Sequence, residues 1–133
     1  MATSGGNGGG IVILDTPAIT GTIRIISNGG SSLVSGTDGS GGGGSGGAII
    51  LLNSDDILIP AGAHIIQADG GNAATTTFDN GGGGGGGGGV FATTSDFAFE
   101  VSVAGGSASD RGSPEPGEPG ISTTFTTDEN FVI

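Results

Sequence analysis

Short aliphatic runs recur along the chain, each preceded by a block of glycine and followed by a polar corner. Ile11-Val12-Ile13-Leu14 follows the block from Gly5 to Gly10, Ala48-Ile49-Ile50-Leu51-Leu52 follows Gly41 to Gly47, and Val90-Phe91-Ala92 follows nine consecutive glycines, Gly81 to Gly89. A second apolar stretch comes later in each unit. Gly21-Thr22-Ile23-Arg24-Ile25-Ile26 closes at Asn28-Gly29-Gly30, Gly62-Ala63-His64-Ile65-Ile66 closes at Asp69-Gly70-Gly71, and Phe97 to Val103 closes at Gly105-Gly106. Gly21, Ile25 and Gly29 match Gly62, Ile66 and Gly70 at a constant offset of 41 residues, which points to duplication.

Helix is disfavoured throughout, because glycine costs about 1 kcal/mol per helical position relative to alanine and the other segments are rich in Ile, Val and Thr. Phe97, Phe99, Val101 and Val103 alternate with Ala98, Glu100 and Ser102, the period of a strand with one buried face. Ala48–Leu52 is apolar on both faces. That predicts a central strand, covered on one side by other strands and on the other by a neighbouring chain or subunit. Repeats that cannot bury their own apolar faces stack into solenoids. The expected fold is therefore all-β, a short glycine-rich parallel β-solenoid of three units, with corners at Asn28-Gly29, Asp69-Gly70 and Asp79-Asn80 in left-handed or tight-turn geometry. The unpaired ends of so short a stack invite strand addition by another copy, hence a homo-oligomer or filament.

Composition sharpens this. Of 133 residues, 33 are glycine and there is no Trp, Tyr or Cys, so a conventional core would be thin; the Ile, Val, Leu and Phe are nevertheless clustered, which argues for order. The net charge is −11, and Arg24 and Arg111 are the only basic side chains besides His64. With no basic track to neutralise phosphates, nucleic acid is excluded as an expected partner. No apolar run approaches the roughly 20 residues of a membrane-spanning helix.

Three readings of the glycine runs stand open: flexible linkers, glycine-rich β corners, or extended polyglycine-II strands rising about 3.1 Å per residue and packed against one another. Gly85, in the middle of the longest run, separates a linker from a packed strand. Residues 1–106 are expected to form the solenoid domain and 107–120, with Pro114, Pro116 and Pro119, a connector; 121–133 would be a C-terminal β arm. Its Ile121, Phe125, Phe131, Val132 and Ile133 are candidate assembly residues, either capping the stack or crossing to the next subunit as an added strand.

Candidate chemistry is sparse. His64 takes the place of Ile23 in the first unit and, with no Cys and no second His, makes no zinc set; it is expected to be a partly exposed strand residue. Asp38, Asp55, Asp56, Asp69 and Asp79 match no calcium-loop spacing and are expected to sit in solvated turns. A phosphate loop needs a lysine, which the chain lacks. Ser54, His64 and Asp69 can be combined into a triad only by selection, and Gly43-Gly44-Ser45-Gly46-Gly47 matches a nucleophile elbow only because its surroundings are glycine. Thr75-Thr76-Thr77 and Thr123-Thr124 do not recur at the unit offset, as an ice-binding array would require. The expectation is no enzyme, no cofactor and no metal.

The alternation of Gly41 to Gly47 with Ala48–Leu52, and of Gly81 to Gly89 with Val90–Ala92, resembles the glycine-rich parallel β-helix passengers of bacterial adhesins and autotransporter-like surface proteins. It is also similar to the polyglycine-II tip domains of phage tail-fibre adhesins. The resemblance spans about residues 5 to 106 and implies an extracellular, cell-surface or virion-associated role. It leads to two expectations: a structural protein that self-assembles by subunit stacking and C-terminal strand exchange, or an adhesin tip that binds a receptor or carbohydrate.

Overall fold

A computed structural model describes residues 4–32, 39–52, 63–76, 81–94 and 99–124. Among these described residues seven short strands follow one another: β1 (Ile11–Asp15), β2 (Arg24–Ile26), β3 (Ala48–Leu52), β4 (Ile65–Gln67), β5 (Val90–Thr93), β6 (Glu100–Ser102) and β7 (Ile121–Thr124). Odd-numbered strands form one sheet in the order β1-β3-β5-β7 and even-numbered strands a second, β2-β4-β6, with every pairing parallel. Each circuit of the chain thus visits both sheets once. The result is an all-β, solenoid-like topology.

Register carries the repeat from coil to coil. Ile25 pairs with Ile66 at the 41-residue offset read from the sequence, and Ile66 pairs with Val101. In the other sheet Val12, Ile49 and Phe91 form one column, and Ile11, Ala48, Val90 and Ile121 another. The first column points inward. Ile49, Leu51 and Phe91 meet Ile66 from the facing sheet, with Val12, Leu14, Ile25, Phe99 and Val101 packed around them. Phe91 and Phe99 touch edge to face across the sandwich, ring centres 5.6 Å apart. The alternation read around Phe99, Val101 and Val103 holds, with Glu100 exposed; Phe97 lies outside the described residues.

A lead-in segment precedes each odd strand (residues 4–10, 40–47, 82–89 and 114–120), and a return segment follows each even strand (27–32, 68–74 and 103–109). Gly81 (φ +50°) and Gly112 (φ +83°) turn the chain into the third and fourth lead-in segments, conformations a side chain would strain. The corners expected at Asn28-Gly29 and Asp69-Gly70 are not left-handed: neither glycine has positive φ, and both lie inside return segments that run straight on from their strands. Asp79-Asn80 falls outside the described residues.

Because Leu51 is fully buried, Leu51→Ala is expected to cost about 2–5 kcal/mol by urea denaturation. Ile13→Ala, at a position 62 % exposed, should change stability by less than about 0.5 kcal/mol. Equal effects at the two positions would contradict this placement of the core.

Candidate functional site

The lead-in segments, built largely of glycine, are tied to their neighbours by backbone hydrogen bonds. Along the lead-in segments, donors fall three residues apart. Gly6 and Gly9 N–H donate to the carbonyls of Gly42 and Ser45 (both 2.8 Å), Gly43 and Gly46 to Gly84 and Gly87 (3.0 and 2.8 Å), and Gly85 and Gly88 to Glu115 and Glu118 (3.1 and 2.8 Å). The next residue in each triplet donates to a return segment instead. Gly44 and Gly47 bond Gly30 and Ser27, Gly86 and Gly89 bond Gly71 and Ala68, and Gly117 and Gly120 bond Gly106 and Val103. The third member, at Gly84, Gly87, Glu115 and Glu118, has an N–H that donates to no described backbone carbonyl.

In the second and third lead-in segments two of every three backbone amides are thereby tied to a neighbouring segment, and this closeness leaves no room for β carbons at the bonded positions. One added at Gly85 would overlap the Gly106 carbonyl, and one at Gly86 the Gly44 carbonyl. At Gly87, in contrast, it would meet only the Glu118 carbonyl at an ordinary 3.8 Å. Ser45 and Glu118 occupy the equivalents of Gly87 and are exposed, so side chains are accommodated at the outward third of the triplet. Residues 114–120, read from the sequence as a connector, make these same bonds as the fourth lead-in segment, and Ile121 continues into β7 against the chain's own β5.

Side chains satisfy the leftover amides of the return segments. The Asn28 carbonyl oxygen accepts from Asp69 N–H (2.9 Å), and Asp69 Oδ1 accepts from Ala104 N–H (2.8 Å). One turn on, Ser31 Oγ accepts from Asn72 N–H, and Asn72 Oδ1 from Ser107 N–H. Asp69 is the hub of the first ladder, its Oδ1 also accepting from Ser102 Oγ and its Oδ2 from Gln67 Nε2, each at 2.6 Å. Partial burial pushes its pKa up, but the Ser102 hydroxyl, the Gln67 amide and the Ala104 N–H outweigh that and hold the carboxyl below its usual range.

His64 is 1 % exposed, not the partly exposed strand residue expected. The coil stacking closes over it: Nδ1 accepts from Ile23 N–H (3.3 Å), and the ring meets Phe99 edge to face with centres 6.1 Å apart. Ser54, Asp38, Asp55, Asp56, Asp79, Phe125, Phe131, Val132 and Ile133 lie outside the described residues. Gly85 is within the bonded layer, and Ile121 is 62 % exposed on the outer face of its sheet. Among the described residues no three His, Asp or Glu side chains gather as metal ligands do, and no helix is long and apolar enough to cross a membrane.

The outer faces of the two sheets differ. On the β1-β3-β5-β7 sheet the outward columns are Ile11, Ala48, Val90, Ile121 and Ile13, Ile50, Ala92, Thr123. Ile11 (76 % exposed), Ile13, Val90 and Ile121 all stand in solvent. The corresponding columns of the other sheet are Arg24, Ile65, Glu100 and Ile26, Gln67, Ser102, a mixed polar surface. No protein-family model matches the chain, and neither the curated proteins nor the solved structures contain a match to it.

Gly85→Ala is expected to destabilise by more than about 1 kcal/mol in chemical denaturation, whereas Gly87→Ala stays within about 0.5 kcal/mol. Equal, small effects would mean that the run is not packed. Because the Asp69 carboxyl is depressed in the fold, its contribution is complete above the unfolded aspartate pKa of about 3.9 and is lost as pH falls through the lower folded value. Asp69→Asn should therefore flatten the decline in melting temperature below about pH 4. An acid limb unchanged by the substitution would show that Asp69 is not linked to folding.

Proposed function

We propose that the protein is a structural module, built for an extracellular, cell-surface or virion-associated assembly, that acts by associating with further copies of itself. The observation that carries this reading is the apolar outer face of the β1-β3-β5-β7 sheet. Water-facing sheets in soluble proteins alternate apolar and polar residues, and the second sheet of this molecule does so. Here both outward columns are aliphatic apart from Thr123, and among the described acidic residues only Asp15 stands on this sheet, at its margin.

The glycine half is read as a polyglycine-II lattice. The three-residue interval between successive donors supports this, since a polyglycine-II strand turns once every three residues. Two Glu-Pro-Gly triplets, residues 115–120, support it too, as proline is preset for that backbone. In this reading the lattice is a stiff spacer that fixes the register of the sheets, and the sheet face supplies the contact. Exchange of β7 between copies would replace its pairing with β5 by the identical pairing in trans, at little cost in contacts.

The face is small. Four strands about 4.8 Å apart and four residues of about 3.3 Å each span roughly 250 Å² in projection. That is below what a permanent dimer needs, so single contacts are weak and assembly depends on concentration and multiplicity. Sedimentation equilibrium on the full chain is expected to give reversible association with Kd of roughly 0.1–1 mM. In the Ile13→Lys/Val90→Lys variant that association should be abolished without loss of β circular dichroism. A wild-type chain that stays monomeric across that range, or a variant that associates equally, contradicts the reading.

A further inference from the structure

We propose that the glycine layer is closed at both ends by its own sequence, so that a second copy cannot extend it: Asn7 closes the first lead-in segment and Pro116 and Pro119 close the fourth. The register makes the positions equivalent. Five and two residues before the start of β1, β3 and β5 stand Gly6 and Gly9, Gly43 and Gly46, and Gly85 and Gly88. Their N–H groups are the ones that donate to the next lead-in segment. Five and two residues before β7 stand Pro116 and Pro119, which have no N–H to give. Both are exposed. The last segment accepts from its predecessor through Glu115 and Glu118 and offers nothing onward at these two places, the same device by which proline blunts an edge strand.

The first segment is closed sterically. Gly44, Gly86 and Gly117 stand four residues before β3, β5 and β7, and a β carbon at each would overlap the backbone of the preceding lead-in segment, at Asn7, Gly44 and Gly86 respectively. Asn7 stands four residues before β1 and carries a side chain there, filling the place a preceding segment would need. Among the described residues no segment lies on that side: a β carbon added at Gly10 finds nothing within 4 Å, whereas its equivalents Gly47, Gly89 and Gly120 would overlap their predecessors.

End-to-end growth through glycine is therefore blocked, and contacts between copies are confined to surfaces other than the lattice ends. This concerns the ends alone and stands whether or not the outer sheet face binds copies. The test uses the full chain in the Ile13→Lys/Val90→Lys background, which separates it from association through that face. Three variants are compared with this parent by sedimentation velocity: N7G, P116G/P119G, and the combination N7G/P116G/P119G. Glycine restores the N–H and leaves room for a further segment, which a β carbon at the equivalent Gly85 and Gly88 would overlap.

The combined variant is expected to associate at least tenfold more strongly than its parent. In it, the new amides at 116 and 119 should exchange at open-chain rates when dilute and become protected as concentration rises. Each single-end variant should keep the parent's mass, since its other end stays closed. A combined variant that folds by circular dichroism and sediments like the parent overturns the proposal, as does equal association by either single-end variant. Protection of the amides at 116 and 119 in the dilute monomer would also overturn it, because those positions would then not face outward.

Discussion

Everything in this molecule depends on backbone amides bonding to the backbone of the next coil at three-residue intervals. In most small domains the side chains of a hydrophobic core set the spacing between elements. Here half of the molecule has almost no side chains to bury, and its spacing is set by peptide groups such as those of Gly85, Gly86, Gly88 and Gly89, which reach two neighbouring segments. Each such bond contributes about 1 kcal/mol net, while ordering a glycine costs more than ordering any other residue. A lone segment would not hold. Stacking three and four of them side by side, each bonded on two sides, offsets that cost cooperatively, and the apolar half supplies what remains.

The two halves share one chain and pass register between them. Each lead-in segment runs directly into an odd strand and each even strand into a return segment, so a slip in one half would force a slip in the other. In the strands a one-residue shift would move Ile49 and Leu51 out of the core. In the glycine half it would place Ser45 or Glu118 where a β carbon overlaps backbone. The Asn28–Asp69–Ala104 ladder sits at the junction, and its hydrogen bonds hold the point where the interval changes from two residues to three.

Much of the strand content was legible because aliphatic clusters alternate with glycine, and the Ile25–Ile66 pairing was legible because a 41-residue offset survives in that stretch. Asn28-Gly29 and Asp69-Gly70 carry the usual mark of a tight turn yet run straight, because nothing local distinguishes a glycine chosen for positive φ from one chosen to make room for a neighbour. The signal in residues 115–120 was present as Glu-Pro-Gly repeated at three residues, but prolines among charges also describe a linker. His64 was placed in the correct coil yet not in the core, since its burial comes from Phe99 and Ile23, far away in sequence. The asymmetry between the two sheets' outer faces needed the strand order, which no single strand reveals.

Amide hydrogen exchange resolved by NMR along residues 83–89 tests the three-residue lattice most directly. A packed lattice predicts slow exchange at Gly85, Gly86, Gly88 and Gly89 and exchange near open-chain rates at Gly84 and Gly87, two protected amides followed by one free. Uniformly fast exchange through the run would mean that the glycines are a solvated spacer, and protection alternating every second residue would mean an ordinary strand; either result would contradict the account.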